Sequence, residues 1–164
     1  MSDFEQLYQQ YARDVYRFAL YLTGSPAHAE DIASETFVRV FTQWDNVRTG
    51  TVKAYLFTIA RNLYVDTLRQ NSRSTELSVH LADPAPGPYL KAQDREALEA
   101  VLAALQELPE VDRAALLMRA QDEMSYEDIA TALRISLASA KVKVHRARMR
   151  LAELWTKTEG SKKS

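Results

Sequence analysis

Residues 71–94, NSRSTELSVHLADPAPGPYLKAQD, constrain the fold of this chain more than any other stretch. They hold three of its five prolines, and Pro84, Pro86, Gly87 and Pro88 forbid a continuous helix. On both sides of them apolar residues recur at steps of three and four, the period of an amphipathic helix. A chain divided in this way is expected to be all-α: two small helical domains joined by a flexible linker. The expected bounds are 1–70, a linker at 71–94, and 95–157, with 158–164 a disordered tail. Loops as long as this one are uncommon inside a single domain. Fully extended, the linker spans about 80 Å.

The first domain reads as three helices. The first covers roughly residues 3–22, with Phe4, Leu7, Tyr8, Tyr11, Val15, Phe18 and Leu22 in its stripe and Gly24 as its stop. Ser25 caps a second helix that has Pro26 in its first turn. Its stripe is Ile32, Ala33, Thr36, Phe37, Val40, Phe41 and Trp44. After the polar loop DNVRTGT, a third helix runs from about Val52 to Gln70, with Tyr55, Leu56, Ile59, Ala60, Leu63 and Thr67 facing the core.

The second domain is expected to hold four helices. REALEAVLAALQEL ends at Pro109, and EVDRAALLMRAQ follows with Ala114, Leu117 and Met118 buried. Ser125, with Asp128 three residues on, starts a short helix that buries Ile129, Ala130 and Leu133. After a three-residue break, Ser136 can cap a long helix whose stripe is Leu137, Ala140, Val144, Ala147, Leu151 and Leu154. Short helix, tight break and longer helix together read as a helix-turn-helix.

Charge sharpens that reading. The whole chain has a net charge of -1, so any nucleic-acid surface must come from local segregation. Residues 137–151 contain Lys141, Lys143, Arg146, Arg148 and Arg150, together with His145, and no carboxylate. At 100° per residue, Ala138, Val142, His145 and Met149 lie opposite the apolar stripe. Lys141 and Arg148 flank them on one side; Ser139, Lys143, Arg146 and Arg150 flank them on the other. A major groove needs compact groups at the apex for base edges and cations at the walls for phosphates. Val142, His145 and Arg146 are therefore expected to read bases. Lys143, Arg148 and Arg150 are expected to hold phosphates, and Lys141 can do either. A solvated basic face is the alternative.

Three segments carry a resemblance to a known family: AEDIASETFVRVF (29–41), AYLFTIARNLYVDTLR (54–69) and ALQELPEVDRAALLMRAQDEMSYEDIATALRISLASAKVKVHRARMRL (104–151). In this order and at this spacing the chain resembles the extracytoplasmic-function (ECF) sigma factors of bacterial RNA polymerase. The resemblance implies that the first domain binds core polymerase and the minus-ten promoter element, while the second reads the minus-thirty-five element. By position, the core-binding residues are Asp31, Ser34, Glu35, Thr36, Phe37 and Phe41, facing the coiled coil of the clamp in the largest subunit. The minus-ten residues are Asp45, Asn46, Arg48, Arg61, Asn62, Tyr64 and Arg69. Those on the third helix could equally be a solvated face. The family commonly uses an anti-sigma factor, which the resemblance adds as an expected partner.

The chain departs from the family pattern in four places. Arg134 stands where the turn usually has Gly, which points to a positive φ costing on the order of 1 kcal/mol. Ala138-Ser139 replaces Gly-Thr, Ser34 replaces Gln, and Tyr55 replaces Trp.

Other classes are less well supported. No Cys is present, which excludes disulfides and thiol chemistry. The amino-terminal residues lack a signal-peptide core, and no apolar run of about 18 residues exists, so a cytoplasmic protein with no membrane span is expected. His28, Glu30, Asp31 and Glu35 share one helix but lack a matching Glu-x-x-His pair on a facing helix, so neither a metal, another cofactor nor an enzymatic activity is expected. A stand-alone helix-turn-helix regulator remains the rival reading, though it requires a dimer surface or an effector pocket.

Overall fold

The computed structural model describes residues 2–46, 52–73 and 92–162, side chains excepted at Asn46, 72–73 and 158–162. These residues form seven α-helices, one 3-10 turn and no strand. The chain divides into two compact units, Met1–Pro86 and Gly87–Ser164. Among the described residues no helix is long and apolar enough to cross a membrane.

The first unit contains α1 (Asp3–Thr23), α2 (Pro26–Thr42) and α3 (Val52–Arg73), with the 3-10 turn Trp44–Asn46 after α2. The Ser2 hydroxyl accepts from the Glu5 amide at 3.2 Å and starts α1. Gly24, at φ 73°, ends it in the left-handed region that Gly enters without a Cβ penalty. Ser25 then caps α2 by accepting from the His28 amide, and Pro26 sits where its missing N–H costs nothing. The core brings together Val15, Phe18 and Leu22 of α1, Ile32, Phe37 and Val40 of α2, and Leu56, Phe57 and Ala60 of α3. Phe18 stacks on Phe57 with ring centroids 4.7 Å apart.

Some core assignments shift. Tyr8 and Phe41, expected inside, are exposed, and each meets one neighbour edge-to-face (Tyr8 with Phe37 at 4.9 Å, Phe41 with Phe4 at 5.0 Å between centroids). Helix α3 is rotated relative to the expected stripe and buries Leu56, Phe57, Ala60 and Tyr64. Tyr55 is only half-buried, and its hydroxyl donates to Gln43 at 3.2 Å.

The second unit contains α4 (Ala92–Gln106), α5 (Glu110–Ala120), α6 (Tyr126–Leu133) and α7 (Leu137–Lys162). Helix α5 lies at its centre, buried from Asp112 through Met118. Arg113 reaches back to the end of α4 and donates to the Leu105 and Leu108 carbonyls at 3.3 and 3.0 Å, satisfying acceptors that a helix end leaves open. Helix α7 packs along α5 through Ala140, Val144 and Ala147, all fully buried, while Leu137 at its start is exposed.

Helical structure extends beyond the expected domain bounds. Helix α3 continues to Arg73 and α4 starts at Ala92, so both enter the 71–94 segment. The prolines that break the period begin only at Pro84. The remainder of that segment, 74–91, lies outside the described residues. Helix α7 continues to Lys162, through most of the tail expected to be disordered; no Pro follows Pro109 to stop it.

Candidate promoter and polymerase surfaces

The turn between α6 and α7 sets the site. Ser125 caps α6 by accepting from the Asp128 amide at 3.0 Å. The helix closes at Arg134, where the Ile135 amide donates to the Ala130 carbonyl and the Arg134 amide to the Thr131 carbonyl. This is a Schellman closure with Arg134 in the left-handed position, at φ 56° and ψ 47°. Ser136 then caps α7 by accepting from the Ser139 amide at 3.0 Å. A non-glycine residue at such a position is strained, so Arg134→Gly is expected to stabilise the second unit by about 0.5–1 kcal/mol. A urea titration checks this: a lower unfolding midpoint for the variant would contradict the strain.

The outward face of α7 carries Val142 and Met149, 57% and 54% exposed, with His145 between them. Lys141 and Arg148 are exposed on one flank; Ser139 and Lys143 are half-buried on the other. Lys141 also lies over the Tyr126 ring, its Nζ 5.9 Å from the centroid, and Arg119 covers the same ring at 4.5 Å. Sequence reading missed Tyr126 and Arg119, which come from α6 and α5 and widen the basic flank.

Two of the expected DNA residues are otherwise engaged. Arg146, expected to read a base, holds Asp112 of α5 instead. Its Nε donates to Oδ2 at 2.7 Å and its Nη2 to Oδ1 at 2.9 Å. The Asp112 side chain is 3% exposed, whereas that of Arg146 is 57% exposed. That pairing holds the Arg146 guanidinium in its charged form, raising its pKa above the ordinary value. Arg150, expected on a phosphate, lies between Glu153 at 3.2 Å and Glu107 at 3.7 Å. The segment has no carboxylate of its own, but its neighbours supply three.

On the first unit, the α2 surface presents Asp31, Ser34, Glu35, Val38 and Phe41. Glu35 pairs with Arg39 one turn on at 3.5 Å. Thr36 and Phe37 are not part of that surface. Both are buried; the Thr36 hydroxyl donates to the Ile32 carbonyl at 2.6 Å, and Phe37 packs edge-on against Tyr8. Both stand in the apolar register of α2, which already marked them as core. Val38, 54% exposed on the same face, was missed.

The expected minus-ten residues also separate. Asn62 and Arg69 are exposed on one side of α3, seven residues apart, with Arg61 half-buried beside them. Tyr64, 8% exposed, faces the core rather than the side of α3 that bears Asn62 and Arg69. Asp45 is exposed on the 3-10 turn; the Asn46 side chain and Arg48 lie outside the described residues. Among the described residues no cluster of three or more His, Asp or Glu is placed to hold a metal ion.

Residues 7–74 match sigma-70 region 2, and residues 98–151 match sigma-70 region 4. The chain is 32% identical over 158 residues to the ECF RNA polymerase sigma factor SigM of Bacillus subtilis, covering 93% of this chain and 95% of SigM. It is 32% identical over 162 residues to the ECF RNA polymerase sigma factor SigE of Mycolicibacterium smegmatis, covering 96% of this chain but 63% of SigE. In solved structures it is similar to the sigma factor RpoE of Bartonella quintana in complex with the anti-sigma factor NepR. That match has a TM-score of 0.80 at 27% identity and covers 95% of this chain and 98% of RpoE. CnrH, solved with the cytosolic domain of CnrY, shares the fold at 21% identity and a TM-score of 0.69 over 93% of this chain and 87% of CnrH.

Proposed function

Because the chain belongs to the ECF sigma factors and is an RNA polymerase sigma factor for transcription initiation, we propose how its two units divide that work. The α2 face bearing Asp31, Ser34, Glu35, Val38 and Phe41 docks on the clamp coiled coil of the largest polymerase subunit. The α3 face bearing Asn62, Arg69 and Arg61, with Asp45 and the loop after it, engages the minus-ten element. Helix α7 enters the major groove of the minus-thirty-five element. There Val142 and His145 meet base edges, and Lys141, Lys143 and Arg148 meet phosphates, joined by Arg119 and Tyr126 on one wall. Residues 1–73 and 92–157 act as the two binding domains, the segment between them as the linker, and the protein works in the cytoplasm beside the polymerase. An anti-sigma factor is proposed as a regulator, since RpoE was solved with one.

The observation that carries this reading is the exposed α7 ridge: apolar Val142 and Met149 held in solvent between cations, directly after a capped turn. The matching region 2 unit counts against a stand-alone regulator, which has no need of a polymerase-binding domain.

Run-off transcription with purified core enzyme on a random promoter library is the test. Core plus this protein is expected to select one two-part promoter class, and the protein without core to give no transcript. Tight, sequence-specific binding of the free protein as a dimer would restore the rival reading. For the docking face, Glu35→Lys should weaken core binding about tenfold, a loss of about 1.4 kcal/mol, with an unchanged melting curve. Unaltered affinity in a titration of labelled protein against core would move the docking face off α2.

A further inference from the structure

We infer that Arg146 is a positioning residue for minus-thirty-five selection: it acts through Asp112 and touches neither base nor phosphate. The inference rests on the reading of α7 as the groove helix. Three observations lead to it.

The first is the pair itself. Both Asp112 oxygens accept from the forked edge of one guanidinium, at 2.7 and 2.9 Å, the geometry of a strong charge-assisted contact. The second is burial. Asp112 lies in the first turn of α5, in a stretch closed to solvent through Met118. Were Arg146 to turn toward a guanine, it would leave a buried carboxylate without its cation. Lys141, Lys143 and Arg148 face the groove side without that cost.

The third concerns rotation. The α7 residues set deepest against the rest of the unit are Ala140, Val144 and Ala147, which are small. Small side chains let α7 approach α5 closely, so a charged pair across that contact bears directly on how α7 is rotated. Arg146 follows Val142 by one turn and ties α7 to a fixed point on α5. The pair therefore determines which residues stand at the apex. With it intact these are Val142, His145 and Met149. Released, α7 can roll and bring its flanks toward the bases.

The test uses full-length protein, core enzyme and the promoter library, with Asp112→Asn, Arg146→Ala and the double variant. Both single variants are expected to broaden the preferred upstream sequence at several positions together and to cut output from the best element about tenfold. The double variant should be no worse than either single, since both remove one connection. The salt dependence of promoter binding should keep its slope, because no phosphate contact is lost. A Leu102→Ala variant, destabilised in the buried part of α4, should lower output without moving the preferred sequence. It separates positioning from simple loss of stability.

Three results would overturn the inference. One is a defect in Arg146→Ala confined to a single base position, or a salt slope reduced by about one, with Asp112→Asn neutral or improved. Another is additive losses in the double variant. The third is an unchanged upstream preference in both single variants. Lys141→Ala and Val142→Ala, tested in parallel, distinguish a deeper failure: if neither alters transcription, α7 is not the groove helix and the functional reading itself falls.

Discussion

Phe57→Ala should unfold the first unit at physiological temperature. The Phe57 ring is fully buried and stacks on Phe18 between α1 and α3. Truncating a buried Phe to Ala costs about 3–5 kcal/mol, from lost transfer energy plus the cavity left behind. A domain of this size has only about 5–15 kcal/mol in total, and small ones lie at the low end. The proposed polymerase-docking face depends on the same core, because α2 is held in place through Ile32, Phe37 and Val40. Urea titration by circular dichroism should show early loss of helix, and the variant should fail to co-purify with core at 37 °C. A destabilisation below about 1 kcal/mol would mean that the unit closes over the gap, and the stacked pair would not be its keystone.

Removing the free cations of α7 together should have the second large effect. Lys143 and Arg148 have no ion pair among the described residues, and Lys141 meets only the Tyr126 ring. With Lys141, Lys143 and Arg148 all changed to Ala, transcription dependent on the upstream element should fall on the order of a hundredfold at physiological salt. The salt slope of promoter binding should drop by about 2.7, at roughly 0.9 for each phosphate contact. The preferred upstream sequence should stay where it was, since the apex is untouched. A shifted preference would show that one of the three reads a base. Arg150→Ala, by contrast, should matter far less, because Glu107 and Glu153 already occupy its guanidinium.

What the residues alone revealed, and what they hid, follows the range of the forces involved. Caps act over three residues, so Ser25, Ser125 and Ser136 were legible, as was the strained turn at Arg134. The apolar period acts along a single helix, so the exposure of Val142 and Met149 could be read from a wheel. Helix α3 was harder because apolar residues surround it: Tyr55, Leu56, Phe57, Ile59, Leu63 and Tyr64 support two stripes about 100° apart. The choice fell to tertiary contacts, Phe57 finding Phe18 and the Tyr55 hydroxyl finding Gln43. The Asp112–Arg146 pair was hidden for the same reason. Its members are 34 residues apart, and a carboxylate in a first helical turn already has a local use against the macrodipole. One trace was available: Asp112 keeps apolar register with Ala115 and Leu116, and a charge in a core stripe implies a partner. Register likewise separates Thr36 and Phe37 from Asp31, Ser34 and Glu35 of α2, but not from Phe41, which shares their stripe and is still 62% exposed.

Helix α7 is one unbroken rod of 26 residues, Leu137–Lys162, about 39 Å from end to end. The exposed ridge of Val142, His145 and Met149 occupies the first half. The second half passes Leu151 and Leu154 to Trp155, a residue 47% exposed. Helices bend only gently without a Pro or a bulge, and this one has no Pro. The rod is therefore a torsion bar. Turning the far half of the rod would carry the near half with it, against the buried contacts of Ala140, Val144 and Ala147 and the ties to Asp112 and Glu107. Grip on the handle and aim of the blade are mechanically one degree of freedom.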